Sequence, residues 1–150
     1  MGYNNIRISD YRKGLAMIQW DESYSTGVPK LDKQHQSLFQ YANDLEAGVK
    51  RGDISKNTLE LALKFLERYA RSHFGQEEDC MNRYACPVAG ANREAHQDFI
   101  RTYTVYQARL AQGQEPHSIL TELHAFIENW LHDHICKIDT QMKGCVPPEN

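Results

Sequence analysis

The sequence predicts an all-α protein, built as an up-down-up-down antiparallel four-helix bundle. Apolar residues recur at helical spacing along four segments, and the short runs that could form strands lack the regular alternation of a β-strand. The connections between the segments are short, and a short loop cannot carry the chain back to the far end of a long helix. Consecutive helices must therefore run in opposite directions.

The first two predicted helices are bounded by turn residues. The first covers residues 31–49 and ends before the turn at Gly52. The second begins near Ser55, which is suited to cap a helix N-terminus, and continues to residues 81–84, where Pro87 breaks it. We expect both helices to turn one apolar stripe toward a common core.

The third and fourth predicted helices have equally clear limits. The third covers residues 88–111 and is interrupted by Gly113. The fourth opens with Pro116, which suits the first helical position, and continues through His134 to Asp139 and Met142. Gly144 and the prolines after it stop the fourth helix.

Size and charge narrow the function classes. The chain has 150 residues, of which 41% are hydrophobic and 25% charged, as expected for one globular domain. The net charge is −3 and the basic residues are scattered, so we expect no nucleic-acid partner. No apolar run is long enough to cross a membrane, and residues 1–10 lack a signal-peptide core, so we expect a cytoplasmic protein without membrane contact.

The domain limits and the cysteines complete this outline. We assign residues 18–143 to the domain, residues 1–17 to an N-terminal extension and residues 144–150 to a C-terminal tail or linker. The four cysteines form no C-x-x-C pair, and we expect free thiols at Cys80, Cys86, Cys136 and Cys145. A zinc knuckle built from them is the weaker alternative.

Each predicted helix places ionisable residues on its otherwise apolar face: His35, His73, Glu77, His96, His134 and Asp139. A single buried histidine is usually a core residue with one hydrogen bond. Several buried carboxylates and imidazoles, however, each cost several kcal/mol unless a common charge compensates them. A metal cluster supplies that charge, and His73 and Glu77, four residues apart, project from one helix face to reach it. These ligand types suit redox-active iron, although they also allow zinc or manganese.

The residues resemble those of the bacterial hemerythrins over nearly the whole predicted domain. The matching stretches are IQW at 18–20 with LDKQHQSLF at 31–39, HFGQEE at 73–78 with Met81, and WLHDHI at 130–135 with Asp139. The resemblance implies a di-iron centre bridged by an oxo or hydroxo group, with dioxygen as its ligand. It implies that His35 and His73 bind one iron, that His96 and His134 bind the other, and that Glu77 and Asp139 bridge them.

One ligand position departs from the family pattern. The family carries two histidines four apart on the third helix, but here the earlier one is Asn92 and only His96 remains. An amide is a poorer iron ligand than imidazole, so we expect exchangeable coordination at this iron, filled by water or by a weak contact from Asn92. By the same resemblance, Leu131 and Trp130 overlie the dioxygen pocket.

The resemblance leaves several functions open. We favour an oxygen or redox sensor that oxidises readily and acts on a fused or partner signalling domain, with no catalytic residues of its own. An oxygen carrier or storage protein is the first alternative, and an enzyme that reduces peroxide or scavenges nitric oxide is the second. Peroxide, azide and nitric oxide are the other small ligands that we expect at the iron pair. A bundle that has lost its metal through the change to Asn92 is the remaining possibility.

Overall fold

Residues 18–149 are described by the structure, a computed structural model. The bundle consists of α1 (Pro29–Lys50), α2 (Lys56–Arg83), α3 (Ala89–Ala111) and α4 (Pro116–Trp130). Helix α1 packs on α2 and α4, and α3 packs on the same two helices. No strand occurs within residues 18–149, and the predicted all-α bundle is confirmed. The predicted N-terminal extension, residues 1–17, and the last residue of the tail lie outside the described residues.

The helix starts follow from local chemistry. Ser55 caps α2, since its hydroxyl oxygen accepts a hydrogen bond from the Thr58 backbone N–H at 3.0 Å. Helices α1 and α4 both begin with proline, whose missing N–H costs nothing in the first turn. Thr26 precedes α1, and Asp32 lies in the first turn of α1. The Asp32 carboxylate accepts hydrogen bonds from the Thr26 backbone N–H at 2.7 Å and from the Thr26 hydroxyl at 2.8 Å. These contacts set the direction in which α1 enters the bundle.

The prediction for the C-terminal part of the fourth helix was wrong. Helix α4 ends at Trp130 and passes into a π-helical turn, Leu131–Ile135, and then into a 3-10 helix, Asp139–Gly144. The Cys136 backbone N–H donates to the Leu131 carbonyl at 3.1 Å, five residues back. On a regular α-helix, residues five apart diverge by about 140°. The wider turn and the break that follows it let His134 and Asp139 point to the same region.

A disulfide corrects the prediction of four free thiols. Cys86, in the turn between α2 and α3, is bonded to Cys145 after the 3-10 helix, with 5.4 Å between the Cα atoms. The two residues are 59 positions apart, so their proximity depends on the fold and not on local spacing. Cys80 and Cys136 are free, as predicted, and both are partly buried.

Two hydrophobic clusters fill the bundle. The larger one contains residues from all four helices and from the π-helical turn. The smaller one lies around the disulfide and comprises Val28, Leu31, Met81, Cys86 and Met142. Within residues 18–149, no helix has both the length and the apolar composition needed to cross a bilayer.

Candidate metal centre

The structure brings all six predicted ligands into one buried region. They come from different elements: α1 supplies one, α2 two, α3 one, the π-helical turn one and the 3-10 helix one. Each of these residues has a relative exposure of 3% or less. In the order of the elements just given, they are His35, His73 and Glu77, His96, His134, and Asp139. Ionisable side chains this deeply buried require a compensating partner.

A first group of atoms surrounds the Nε2 atom of His35. His73 Nε2 lies 2.9 Å from it, Glu77 Oε2 3.2 Å and Asp139 Oδ2 3.3 Å. His73 Nε2 is also 3.0 Å from Glu77 Oε2. One ligand atom from each of these four residues lies within 4.8 Å of the others, so they could hold one metal ion.

A second group uses the other oxygen of each carboxylate. Glu77 Oε1 lies 3.1 Å from His96 Nε2, and Asp139 Oδ1 lies 3.1 Å from His134 Nε2. Ligand atoms of Glu77, His96 and His134 can likewise converge on one ion. Glu77 therefore faces both groups with different oxygens, and Asp139 directs one oxygen at His35 and the other at His134. Carboxylates arranged in this way can bridge two ions.

The contacts inside this region fit metal ligands better than hydrogen-bonded side chains. The carboxylate oxygens of Glu77 and Asp139 make no hydrogen bond of ordinary geometry with residues 18–149. His35 and His73 direct their Nε2 atoms at each other, so these two atoms can form a hydrogen bond only when one of them carries a proton. Atoms bound to one ion at about 2.1 Å lie roughly 3.0–3.4 Å apart, close to the separations seen here.

The pKa values of the clustered side chains also indicate that the site attracts positive charge. Burial by itself lowers the pKa of His35, but close contacts with Asp139 and Glu77 outweigh it and raise that pKa to about 10. Burial raises the pKa of Glu77, but His73, His35 and His96 outweigh it and hold that pKa well below its usual range. Burial lowers the pKa of His73. Without metal, a proton on His35 thus supplies part of the positive charge that the carboxylates demand.

Two contacts that the sequence did not reveal orient the histidines. His73 donates its Nδ1–H to Gln34 Oε1 at 2.7 Å, and His96 donates its Nδ1–H to Glu78 Oε1 at 2.8 Å. An amide or carboxylate oxygen only accepts, so each contact fixes the tautomer that directs the Nε2 lone pair into the cluster. Gln34 and Glu78 each adjoin a ligand in the chain, and that position is the signal by which they could have been found.

Aromatic rings hold the imidazole planes. The Phe74 ring stacks on His96 with centroids 3.8 Å apart and an interplanar angle of 6°. The Trp130 ring stacks on His134 at 3.9 Å and 17°. Trp130 therefore contacts the centre directly. Leu131 is fully buried at the start of the π-helical turn, and its assignment to a dioxygen pocket stays a prediction.

Asn92 lies one helical turn before His96 on α3. Its side chain is completely buried, and neither amide atom has a hydrogen-bond partner among residues 18–149. A buried amide without partners costs free energy, so its position calls for a ligand or a water molecule. Of the other histidines, His117 and His132 are exposed, whereas His124 is buried but belongs to neither ligand group.

The fold and these side chains define a class: a four-helix bundle with a buried cluster of histidines and carboxylates that can hold metal ions. The model of the Hemerythrin HHE cation binding domain matches residues 26–146, and the chain belongs to this family. The chain is 26% identical to a bacteriohemerythrin of Stenotrophomonas maltophilia over 121 residues, covering 81% of this chain and 76% of the relative.

Similar relatives occur outside the bacteria. A myohemerythrin of Theromyzon tessulatum is 28% identical, covering 84% of this chain and 91% of the relative. A hemerythrin-like protein of Naegleria gruberi is 30% identical over 131 residues, covering 85% of this chain and 92% of the relative. The family binds dioxygen at a di-iron centre, and the buried histidine and carboxylate groups of this chain can hold metal ions. The chain is accordingly an iron- and oxygen-binding domain of the hemerythrin family.

Proposed function

We propose that this domain is an oxygen or redox sensor whose iron pair oxidises readily and whose output belongs to a fused or partner signalling domain. The observation that carries the proposal is the buried, unpartnered amide of Asn92 beside His96. The proposed ligands are His35 and His73 for one iron, His96 and His134 for the other, and Glu77 and Asp139 as bridges. An iron pair held by these residues would supply reversible binding of dioxygen and, on autoxidation, the two electrons that together with two protons reduce dioxygen to hydrogen peroxide.

Asn92 makes the second position easier to reach for small ligands. Its amide is neutral and offers a weaker donor than imidazole, so it competes poorly with water or small anions. Its amide nitrogen can also donate a hydrogen bond to such a molecule. Both properties favour exchange at the His96–His134 position. Peroxide, azide and nitric oxide are the ligands that we expect there besides dioxygen.

A conformational change at the metal site would be transmitted through the segment that carries two of the proposed ligands. His134 lies in the π-helical turn and Asp139 begins the 3-10 helix, so both lie close in sequence to the proposed tail or linker at 144–150. Any change in the distances between these ligands must move this segment relative to α2, which carries His73 and Glu77. Such a displacement could bias the conformation of an attached domain.

The other functions make different demands. A carrier needs a centre that oxidises slowly, and the change to Asn92 opposes that. An enzyme needs a proton donor at the centre besides the ligands, and we propose that this domain has no catalytic residues of its own. We also propose that it acts in the cytoplasm.

The experiment compares the wild type with Asn92→His and with Asn82→His, a matched control at an exposed position of α2. Each protein is loaded with iron, reduced without oxygen and exposed to air while its visible spectrum is followed. We expect a several-fold longer-lived oxygenated spectrum in Asn92→His only. Equal lifetimes in all three proteins would exclude the proposed role of Asn92. A persistent oxygenated wild type would indicate a carrier, and sustained consumption of peroxide would indicate an enzyme.

A further inference from the structure

The two groups of proposed ligands have matching inner donors. Each contains two histidines and one oxygen of Glu77, and Asp139 directs one oxygen at His35 and the other at His134. The match arises because Asn92 stands where a further histidine would make the groups unequal. Apart from the effect of Asn92 itself, any chemical difference between the two metal positions must therefore come from residues around the ligands.

Those surrounding residues follow the same pattern in both groups, with one difference in charge. In each group, one histidine has its Nδ1–H anchored: His73 by Gln34 and His96 by Glu78. The other histidine, His35 or His134, has no partner for Nδ1 among residues 18–149. The anchor is a neutral amide in the first group and a carboxylate in the second.

Both acceptor atoms are oxygens. Gln34 directs its amide nitrogen toward Gln76 Oε1, at 3.5 Å, which leaves its carbonyl oxygen for His73. Glu78 can only accept from His96, and its side chain keeps 27% exposure, so its charge retains part of its hydration. Phe74 covers one face of the His96 ring and restricts its rotation away from Glu78.

A carboxylate acceptor changes the histidine more than an amide does. It polarises the Nδ1–H bond and increases the electron density at Nε2, which makes the imidazole a stronger donor to a metal. The carboxylate also places a negative charge on the far side of the imidazole ring from the ion. Negative charge near a metal ion stabilises its more highly charged oxidation state. A neutral amide orients the ring without either effect.

We propose that Glu78 and Gln34 are positioning residues that make the two metal positions unequal, with the stronger donor set at His96 and His134. This inference rests on the proposed ligand set. Glu78 thereby compensates in part for the imidazole that Asn92 replaces. The weaker coordination through Asn92 and the stronger donor through Glu78 then belong to the same ion, which is exchangeable yet favours its oxidised form.

Two substitutions that change the charge in opposite directions test the inference in the 150-residue chain. Glu78→Gln removes the carboxylate from His96, and Gln34→Glu adds one to His73, while both retain an oxygen acceptor. Glu94→Gln is the matched control, because Glu94 is exposed on α3 only two residues from His96. The measurements are the stepwise affinity for Co²⁺ without iron and the midpoint potential of the iron-loaded protein.

We expect Glu78→Gln to weaken the binding of one Co²⁺ by about tenfold and to shift the midpoint potential to more positive values. Gln34→Glu should shift the potential to more negative values, and Glu94→Gln should change neither quantity. Opposite shifts distinguish charge from damage to the fold, since damage would not lower the potential in one variant and raise it in the other. Shifts of the same sign, or no shift, would overturn the inference. A wild type that binds fewer than two Co²⁺ ions would instead contradict the proposed ligand set.

Discussion

Cys86 and Cys145 are bonded to each other, and their disulfide ties the turn between α2 and α3 to the 3-10 helix that begins with Asp139. Met142 and Met81 pack in the small hydrophobic cluster around this bond. The segment that presents Asp139 to the centre is therefore held both covalently and by apolar contacts. Two consequences for stability and metal binding can be measured.

Loss of the disulfide should destabilise the fold and weaken metal binding together. Cys145→Ser removes a cross-link whose loop spans 59 residues, and we expect the free energy of unfolding to fall by about 2–4 kcal/mol. Urea unfolding and metal affinity measure the two effects. Cys80→Ser, which leaves the disulfide intact, should change both much less. Titration of four free thiols in the unfolded, unreduced wild type would show that the bond does not form.

Glu77 should matter to both metal positions, whereas His134 should matter to one. The two oxygens of Glu77 approach histidines of different groups, so Glu77→Gln weakens every position. His134→Ala leaves the four-residue group around His35 complete. After dialysis, we expect about two ions per wild-type chain, about one for His134→Ala and fewer for Glu77→Gln. The exposed His117→Ala serves as the control, and equal losses in all three variants would refute the bridging geometry.

The cap at the start of α2 should contribute to stability without affecting the metal centre. Ser55→Ala removes the acceptor for the Thr58 backbone N–H, and we expect a loss of about 1 kcal/mol in thermal or urea unfolding. Ser55→Asp, which restores an acceptor, should recover most of it. Ser37→Ala is the control, because the Ser37 hydroxyl donates to the Lys33 carbonyl inside α1 and does not cap a helix start. A loss at Ser37 as large as that at Ser55 would argue against capping as the cause.

The ion pair between α3 and α4 should make stability depend on pH in the acidic range. Arg109 donates two hydrogen bonds to Glu122, at 2.6 and 2.9 Å, and these lower the pKa of that carboxyl. The pair therefore stabilises the fold above the carboxyl's ordinary pKa, and this contribution is lost as the pH falls through the lowered value. Because the pair is partly exposed, Glu122→Gln should cost at most about 1 kcal/mol near neutral pH.

Unfolding of the wild type and of Glu122→Gln at neutral and acidic pH tests this expectation. Their difference should shrink as the pH is lowered, and it should also shrink at high salt because exposed ion pairs are screened. Glu94→Gln, which removes an exposed charge elsewhere on α3, should show no comparable dependence. A difference that persists unchanged at acidic pH would assign the effect to packing instead of charge.

The helices and the ligand candidates were predictable because both depend on local sequence. Apolar residues at helical spacing placed α1, α2 and α3 close to their observed limits, and Ser55 was identified as a cap. The ionisable residues on apolar faces were visible for the same reason, since a helix fixes which side chains share a face. His73 and Glu77 could be paired from the sequence because a single helix determines their relation.

Other relations could not be found in this way because they join residues that are distant in the chain. The disulfide between Cys86 and Cys145, the contact between Glu78 and His96 and the division of the carboxylate oxygens between two groups all depend on how helices approach one another. The π-helical turn that aligns His134 with Asp139 is likewise not encoded in regular spacing.

The sequence alone determined which residues lie on each buried face and what donor atoms they offer, because backbone geometry repeats every few residues. Only the tertiary structure decided which donors meet, at what distance and with which neighbours. Those features depend on how side chains from separate helices pack against one another, and small differences in these distances decide whether several donors can share one ion.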